Sequence, residues 1–158
     1  HGHRFPGGHD PAMLRRAVRM STCRDGARAI VISVENHGAG HNVPTGDVHR
    51  HLVARAWRST APERMAELFL GRRFKPAPDG GKETTLDATL RPRETRALRV
   101  DLAALGGDPG EPINLELRYV YTIDEFPLPA KELPVPAWRT VSSERTAFEA
   151  LGECGARR

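Results

Sequence analysis

From about residue 19 onward, apolar and polar positions alternate with a period of two. Ile30, Ile32 and Val34 alternate with Val31 and Ser33, and Leu52, Ala54 and Ala56 with Val53, Arg55 and Trp57. Leu86, Ala88 and Leu90 form a third run and Leu98, Val100 and Leu102 a fourth; Ile113, Leu115, Leu117, Tyr119 and Tyr121 make the longest. Weaker runs lie at Arg19–Cys23, Met65–Phe74 and Trp138–Ser142. Successive side chains of a strand point to opposite faces, so each run predicts a strand with one buried face. The breakers between them are Asp25-Gly26, Pro78-Asp79-Gly80-Gly81, Pro92 and Gly106–Gly110. About seven or eight short strands with turn signals between them predict an all-β chain, an immunoglobulin-like β-sandwich, with a barrel as the alternative.

The ends read differently. Residues 1–9 hold three histidines with Gly2, Pro6, Gly7 and Gly8, which is loop chemistry. Asp10-Pro11 then predicts a helix N-cap followed by proline at the first helical position, and a short helix over about Pro11–Val18 with Leu14 and Val18 on one face. The segment Phe126–Pro136 carries Pro127, Pro129, Pro134 and Pro136 and cannot be a central strand. The tail from Glu144 to about Leu151 predicts one or two helical turns. We expect one domain over 1–158: an irregular His/Gly-rich segment with its helix at 1–18, the sandwich at 19–143 and a tail at 144–158.

Composition narrows the class. A chain of 158 residues with 39% apolar residues can bury a real core. No apolar run approaches the ~18–20 residues needed to span a bilayer, so we expect a soluble chain without a transmembrane segment. It opens abruptly at His1 with no leader-like segment, as a processed or truncated chain would. The net charge is +4, and lysine occurs only at Lys75, Lys82 and Lys131. The arginines that carry the charge are spread along the whole chain, without aromatic interleaving or a helical stripe. This pattern argues for a solvated basic surface and against a nucleic-acid partner.

Two cysteines, Cys23 and Cys154, lie near opposite ends. There is no C-x-x-C, which removes a cysteine zinc site, a thioredoxin-like motif and covalent haem attachment within this chain. The pair predicts a disulfide tying the tail to the first strand in an oxidising, periplasmic or extracellular compartment, the alternative being two buried free thiols.

All seven histidines, His1, His3, His9, His37, His41, His49 and His51, fall within the first 51 residues. Imidazole is the commonest metal ligand and the usual axial ligand of haem iron, so the cluster points to a shared site. His41 lies in Gly38-Ala39-Gly40-His41-Asn42-Val43-Pro44-Thr45-Gly46-Asp47, between two strand patterns. Two preceding glycines permit a tight turn and close approach, Pro44 fixes φ, and Thr45 and Asp47 can bond backbone amides. A stiff loop presenting one imidazole suits an axial ligand, whose ring must hold its orientation. The plainer reading is a connecting loop whose histidine only bonds a carbonyl.

The stretch His3-Arg4-Phe5-Pro6-Gly7-Gly8-His9 followed about thirty residues on by Gly40-His41-Asn42-Val43-Pro44-Thr45-Gly46 resembles the C-terminal region of bacterial multihaem c-type cytochromes. There an H-x-F-x-G-x-H-like stretch follows the last haem site, a strand leads into a G-H-x-x-P-T-G loop, and a β-sandwich completes the chain. The resemblance is specific over about residues 3–58 and pattern-level beyond. It implies His3, His9 and His41 as haem ligands or haem-pocket residues. This chain departs from the family in having no C-x-x-C-H. The implied haem c would therefore be held by a partner cytochrome chain or by a removed N-terminal region.

A copper reading stands beside this one. If His1 is a true N-terminus, its amine, backbone nitrogens and the His3 imidazole can form a tetragonal nitrogen site of the kind Cu(II) favours. His41, and His49 with His51 projecting from one strand face, would add ligands. No G-x-S-x-G elbow, Walker spacing or H-E-x-x-H occurs, and Asp124-Glu125 reads as a turn. The residues thus point to an electron-transfer or binding module rather than an enzyme. The leading expectation is an accessory domain of a multihaem cytochrome system. A small exported copper-binding protein is second, and a cofactor-free scaffold or adhesion sandwich third.

Overall fold

The computed structural model describes residues 10–46, 49–121 and 138–155. Helix α1 spans Pro11–Ala17, and the strands are β1 Val18–Asp25, β2 Ala29–Asn36, β3 His51–Trp57, β4 Ala66–Pro76, β5 Lys82–Asp87, β6 Thr95–Asp101, β7 Ile113–Val120 and β8 Trp138–Thr146. They form a three-stranded sheet in the order β1-β2-β6 and a five-stranded sheet in the order β5-β4-β3-β7-β8, with antiparallel pairing throughout. The chain changes sheets between β2 and β3, β5 and β6, and β6 and β7, which is the immunoglobulin-like sandwich expected from the pattern.

The alternation explains why the sheets stack. Ile30, Ile32 and Val34 of β2 face Leu52, Ala54 and Ala56 of β3 and Ile113, Leu115 and Leu117 of β7 in one core, all of them at most 1% exposed. Burying each of the seven Ile, Val and Leu side chains is worth roughly 1.5–3 kcal/mol, and the small Ala54 and Ala56 let the facing residues pack close, so these positions hold the two sheets face to face. At the base of the sandwich the buried Arg58 donates to the carbonyls of Gly106 (2.7 Å) and Pro109 (3.3 Å), fastening the turn between β6 and β7.

Helix α1 begins as expected. The Asp10 carboxylate accepts from the amides of Ala12 (2.7 Å) and Met13 (3.3 Å), two of the N–H groups a helix start leaves unpaired. It ends one residue early, because Val18 is already extended and opens β1; Leu14 and Val18 are nevertheless both buried.

Three expectations need correction. Leu86, Ala88 and Leu90 do not form one strand. β5 stops at Asp87, whose carboxylate accepts from the Thr89 amide (3.0 Å) and hydroxyl (2.6 Å) and turns the chain inward. Those two bonds hold the Asp87 carboxyl below its ordinary value. Leu86 is exposed on β5, whereas Leu90 is fully buried where the chain crosses toward the other sheet. The tail is not helical from Glu144: β8 continues to Thr146, held by its ladder to β7, and only Phe148–Ala150 makes a 3-10 turn. The expected strand pair of His49 and His51 fails as well, since β3 begins at His51 and His49 lies in the preceding turn. The expectation for Phe126–Pro136 lies outside the described residues.

Cys23 and Cys154 are disulfide-bonded, with Cα atoms 5.0 Å apart. The tail that brings Cys154 to β1 pairs with it: the Arg24 amide donates to the Gly152 carbonyl and the Cys154 amide to the Arg24 carbonyl, each at 2.8 Å. Arg24 also pairs with Glu153 at 3.1 Å. The tail thus covers part of the outer edge of β1, where unpaired strand groups would otherwise invite association.

Two outcomes follow. Leu117→Ala should destabilise the chain by about 2–5 kcal/mol in denaturant unfolding, because it empties the centre of the core. Replacing Cys23 and Cys154 together by alanine should cost about 2–5 kcal/mol, since the bridge closes a loop of 131 residues in the unfolded chain. A loss below about 0.5 kcal/mol would show that the tail is held by its β1 hydrogen bonds alone.

Candidate functional site

The β2–β3 connection carries His41 at one end of the sandwich. It is clamped from three sides. The amides of His37 (2.9 Å) and Gly38 (3.1 Å) both donate to the Ala17 carbonyl at the end of α1. Gly38 passes so close to the Arg16 carbonyl that a β-carbon would collide with it, so glycine is required there. On the far side the Val43 and Leu90 backbones pair reciprocally at 2.8 Å, and the Asn42 amide group donates to the Thr89 hydroxyl at 3.4 Å. From the turn before β6, the Arg93 guanidinium donates to the His37 carbonyl. That turn is closed by Glu94, whose carboxylate accepts from the Arg91 amide at 2.7 Å, a bond that lowers its pKa.

Inside the clamp sits Asn36, fully buried at the end of β2. Its Nδ2 donates to the carbonyls of His41 (2.8 Å) and Leu90 (3.2 Å), and its Oδ1 accepts from the Ala39 amide at 3.1 Å. Sequence reasoning assigned the stiffness of this loop to Gly38, Gly40, Pro44, Thr45 and Asp47. Gly38 plays its part. Gly40 has open space around its α-carbon, and Thr45 contributes its carbonyl, 3.5 Å from the Tyr119 hydroxyl. Asp47 lies outside the described residues. An asparagine closing a buried strand just before a glycine-rich loop was the available signal for Asn36.

The imidazoles differ in what they can do. His41 is exposed, and its Nδ1 lies 2.9 Å from the Asn42 carbonyl. A carbonyl only accepts, so Nδ1 carries a proton, and in the neutral ring Nε2 keeps its lone pair. A second-atom hydrogen bond of this kind fixes the tautomer and orientation of a ligating histidine. His51 has the same arrangement toward the His49 carbonyl at 2.9 Å, with its ring tilted against Phe69 at a centroid distance of 5.1 Å. His37 is the reverse: Arg19 donates to its Nε2 at 3.1 Å, and its Nδ1 faces Glu35 at 3.5 Å. That lone pair is engaged, which makes His37 a structural residue.

Near the same end, burial pushes the Tyr119 and Tyr121 phenols above their ordinary values, with Arg50 opposing the effect at both and Arg139 at Tyr121. The two rings lie 5.2 Å apart. Among the described residues no three His, Cys, Asp or Glu side chains are grouped to hold a metal, so His41, His49 and His51 do not form such a centre by themselves. His1, His3 and His9 lie outside the described residues.

The structure defines an immunoglobulin-like sandwich with one stiff, histidine-presenting loop at its end. No family model matches the chain, and no curated protein matches it. Among solved structures it is similar to a penta-haem cytochrome c552 from Thermochromatium tepidum, with a TM-score of 0.67 and 21% identity, covering 89% of this chain and 42% of that one. At that identity the likeness establishes a shared fold, and the chain spans less than half the length of the cytochrome. No helix among the described residues is long and apolar enough to cross a membrane.

The loop analysis generates a direct expectation. Because His41 is exposed and, among the described residues, its ring bonds only its own loop, His41→Ala should leave the unfolding free energy within about 0.5 kcal/mol of the parent. A loss above about 2 kcal/mol would make the residue part of the fold.

Proposed function

We propose that this chain is an accessory or C-terminal domain of a multihaem c-type cytochrome electron-transfer system. In this reading it packs against a haem c held by a partner cytochrome chain or by a preceding haem-bearing segment, and supplies a histidine, from His3, His9 or His41, to the iron. The observation that carries the reading is His41 itself: an exposed imidazole whose Nδ1 donates to a carbonyl of its own loop and whose Nε2 lone pair is free of that bond. The residues present therefore fit an axial ligand. When bound, the haem supplies the one-electron couple. The chain's part is to hold the ring rigid and to exclude water from one face of the haem, two means by which a protein sets a haem potential. The sandwich shared with a penta-haem cytochrome supports the reading at the level of fold. The motif resemblance around residues 3–58 supports haem ligation, and with no C-x-x-C-H in these residues the covalent attachment would lie outside them. The Cys23–Cys154 disulfide supports a periplasmic or extracellular location.

The test is an optical titration of the 158-residue chain with a ferric haem peptide that has one imidazole ligand and one open axial position. Conversion to a low-spin, bis-imidazole spectrum is expected, and His41→Ala should weaken it at least tenfold, about 1.4 kcal/mol. An unchanged titration in a folded His41→Ala chain would reject His41 as the ligand.

A further inference from the structure

We infer that Asn36 is a positioning residue for His41, holding the imidazole in the one tautomer and orientation that leaves Nε2 presented; this rests on the reading of His41 as a ligand. Asn36 is fully buried and sits five residues before His41, with no contact to solvent through which it could serve a surface role. Its primary amide has two donors and one carbonyl, and the surroundings offer two carbonyls and one N–H. Only one orientation of the side chain satisfies all three, so its nitrogen and oxygen are assigned by the network.

The chain of consequence to the ring is short. Asn36 fixes the His41 carbonyl and therefore the plane of the peptide joining His41 to Asn42. The following peptide is fixed by the Val43 amide, which donates at 2.8 Å to the Leu90 carbonyl, the same oxygen that accepts from Asn36. That second plane contains the Asn42 carbonyl, which accepts from His41 Nδ1, and the Asn36 bond fixes the plane on the His41 side of it. Asn36 also holds the Ala39 amide, so the loop is pinned on both sides of Gly40. The backbone of Asn36 is tied into the 91–94 turn, accepting from the Arg93 amide (3.0 Å) and donating to the Glu94 carbonyl (2.9 Å). Arg93 in turn has a left-handed backbone (φ 66°) and sends its guanidinium to the His37 carbonyl. One buried amide thus joins β2, the His41 loop and the segment that crosses between the sheets. Removing it takes the Asn36 partner from the His41 carbonyl and the Ala39 amide, while the Leu90 carbonyl keeps the Val43 amide.

The experiment uses the full chain with histidine labelled by 15N and reads the His41 ring by NMR, in the parent, in Asn36→Ala and in Asn36→Asp. Asn36→Asp keeps the acceptor for Ala39 and loses the donors. In the parent the His41 signals should show protonated Nδ1 and a lone pair on Nε2. In Asn36→Ala they should move toward the averaged tautomer of a free histidine, and affinity for the ferric haem peptide should fall at least tenfold while unfolding stays cooperative. Asn36→Asp should retain slow amide exchange at Ala39 but lose the fixed His41 tautomer, which keeps the test open if Asn36→Ala does not fold. A folded Asn36 variant whose His41 tautomer and haem-peptide affinity match the parent would overturn the inference. If the parent itself fails to bind the haem peptide, the ligand reading falls, and the tautomer comparison still decides whether Asn36 sets the ring.

Discussion

A chain that crosses from one sheet of a sandwich to the other carries backbone amides and carbonyls through an apolar interior, and each must find a partner or cost free energy comparable to a lost hydrogen bond. In this protein two crossings, after β2 and after β5, meet at one end of the sandwich. They satisfy each other through the Val43–Leu90 bridge and through the buried amide of Asn36. The loop that bears His41 is stiff because it is the edge of this polar seam. Its rigidity is a by-product of closing the core, and the imidazole it carries inherits a fixed position.

The same constraint explains how much could be read from the sequence. Strands were legible wherever period-two alternation met a ladder on one side and the core on the other, as in β2, β3 and β7. The Asp10 cap was legible because its geometry is local. Leu86, Ala88 and Leu90 misled because an alternating triad is compatible with a strand and equally with a chain leaving a sheet. Asp87 and its bonds to Thr89 decide between them, and those depend on the sheet already existing. The tail misled for a related reason: its residues suit a helix in isolation, but pairing with β7 satisfies more backbone groups than one or two exposed turns would.

At the candidate site the sequence pointed to the His41 loop and to Gly38 but not to the residue that organises that loop. Asn36 acts through side-chain bonds to residues three, five and fifty-four positions away, and the last of these is invisible without the fold. Nor could residue type separate the histidines. His37, His41 and His51 are alike in sequence, and only their partners distinguish an engaged lone pair on His37 from a presented one on His41. Sandwich closure, loop rigidity and imidazole tautomer are therefore linked: the first forces the second, and the second sets the third.

The central claim is that His41 offers Nε2 to iron. Pulsed electron paramagnetic resonance on the ferric haem peptide bound to the chain tests this most directly, with 15N placed only in the histidines of the chain. The account predicts a strong 15N coupling of a directly ligating nitrogen, present in the parent and absent in His41→Ala. A bound haem with no 15N coupling, or one whose coupling survives His41→Ala, would contradict it.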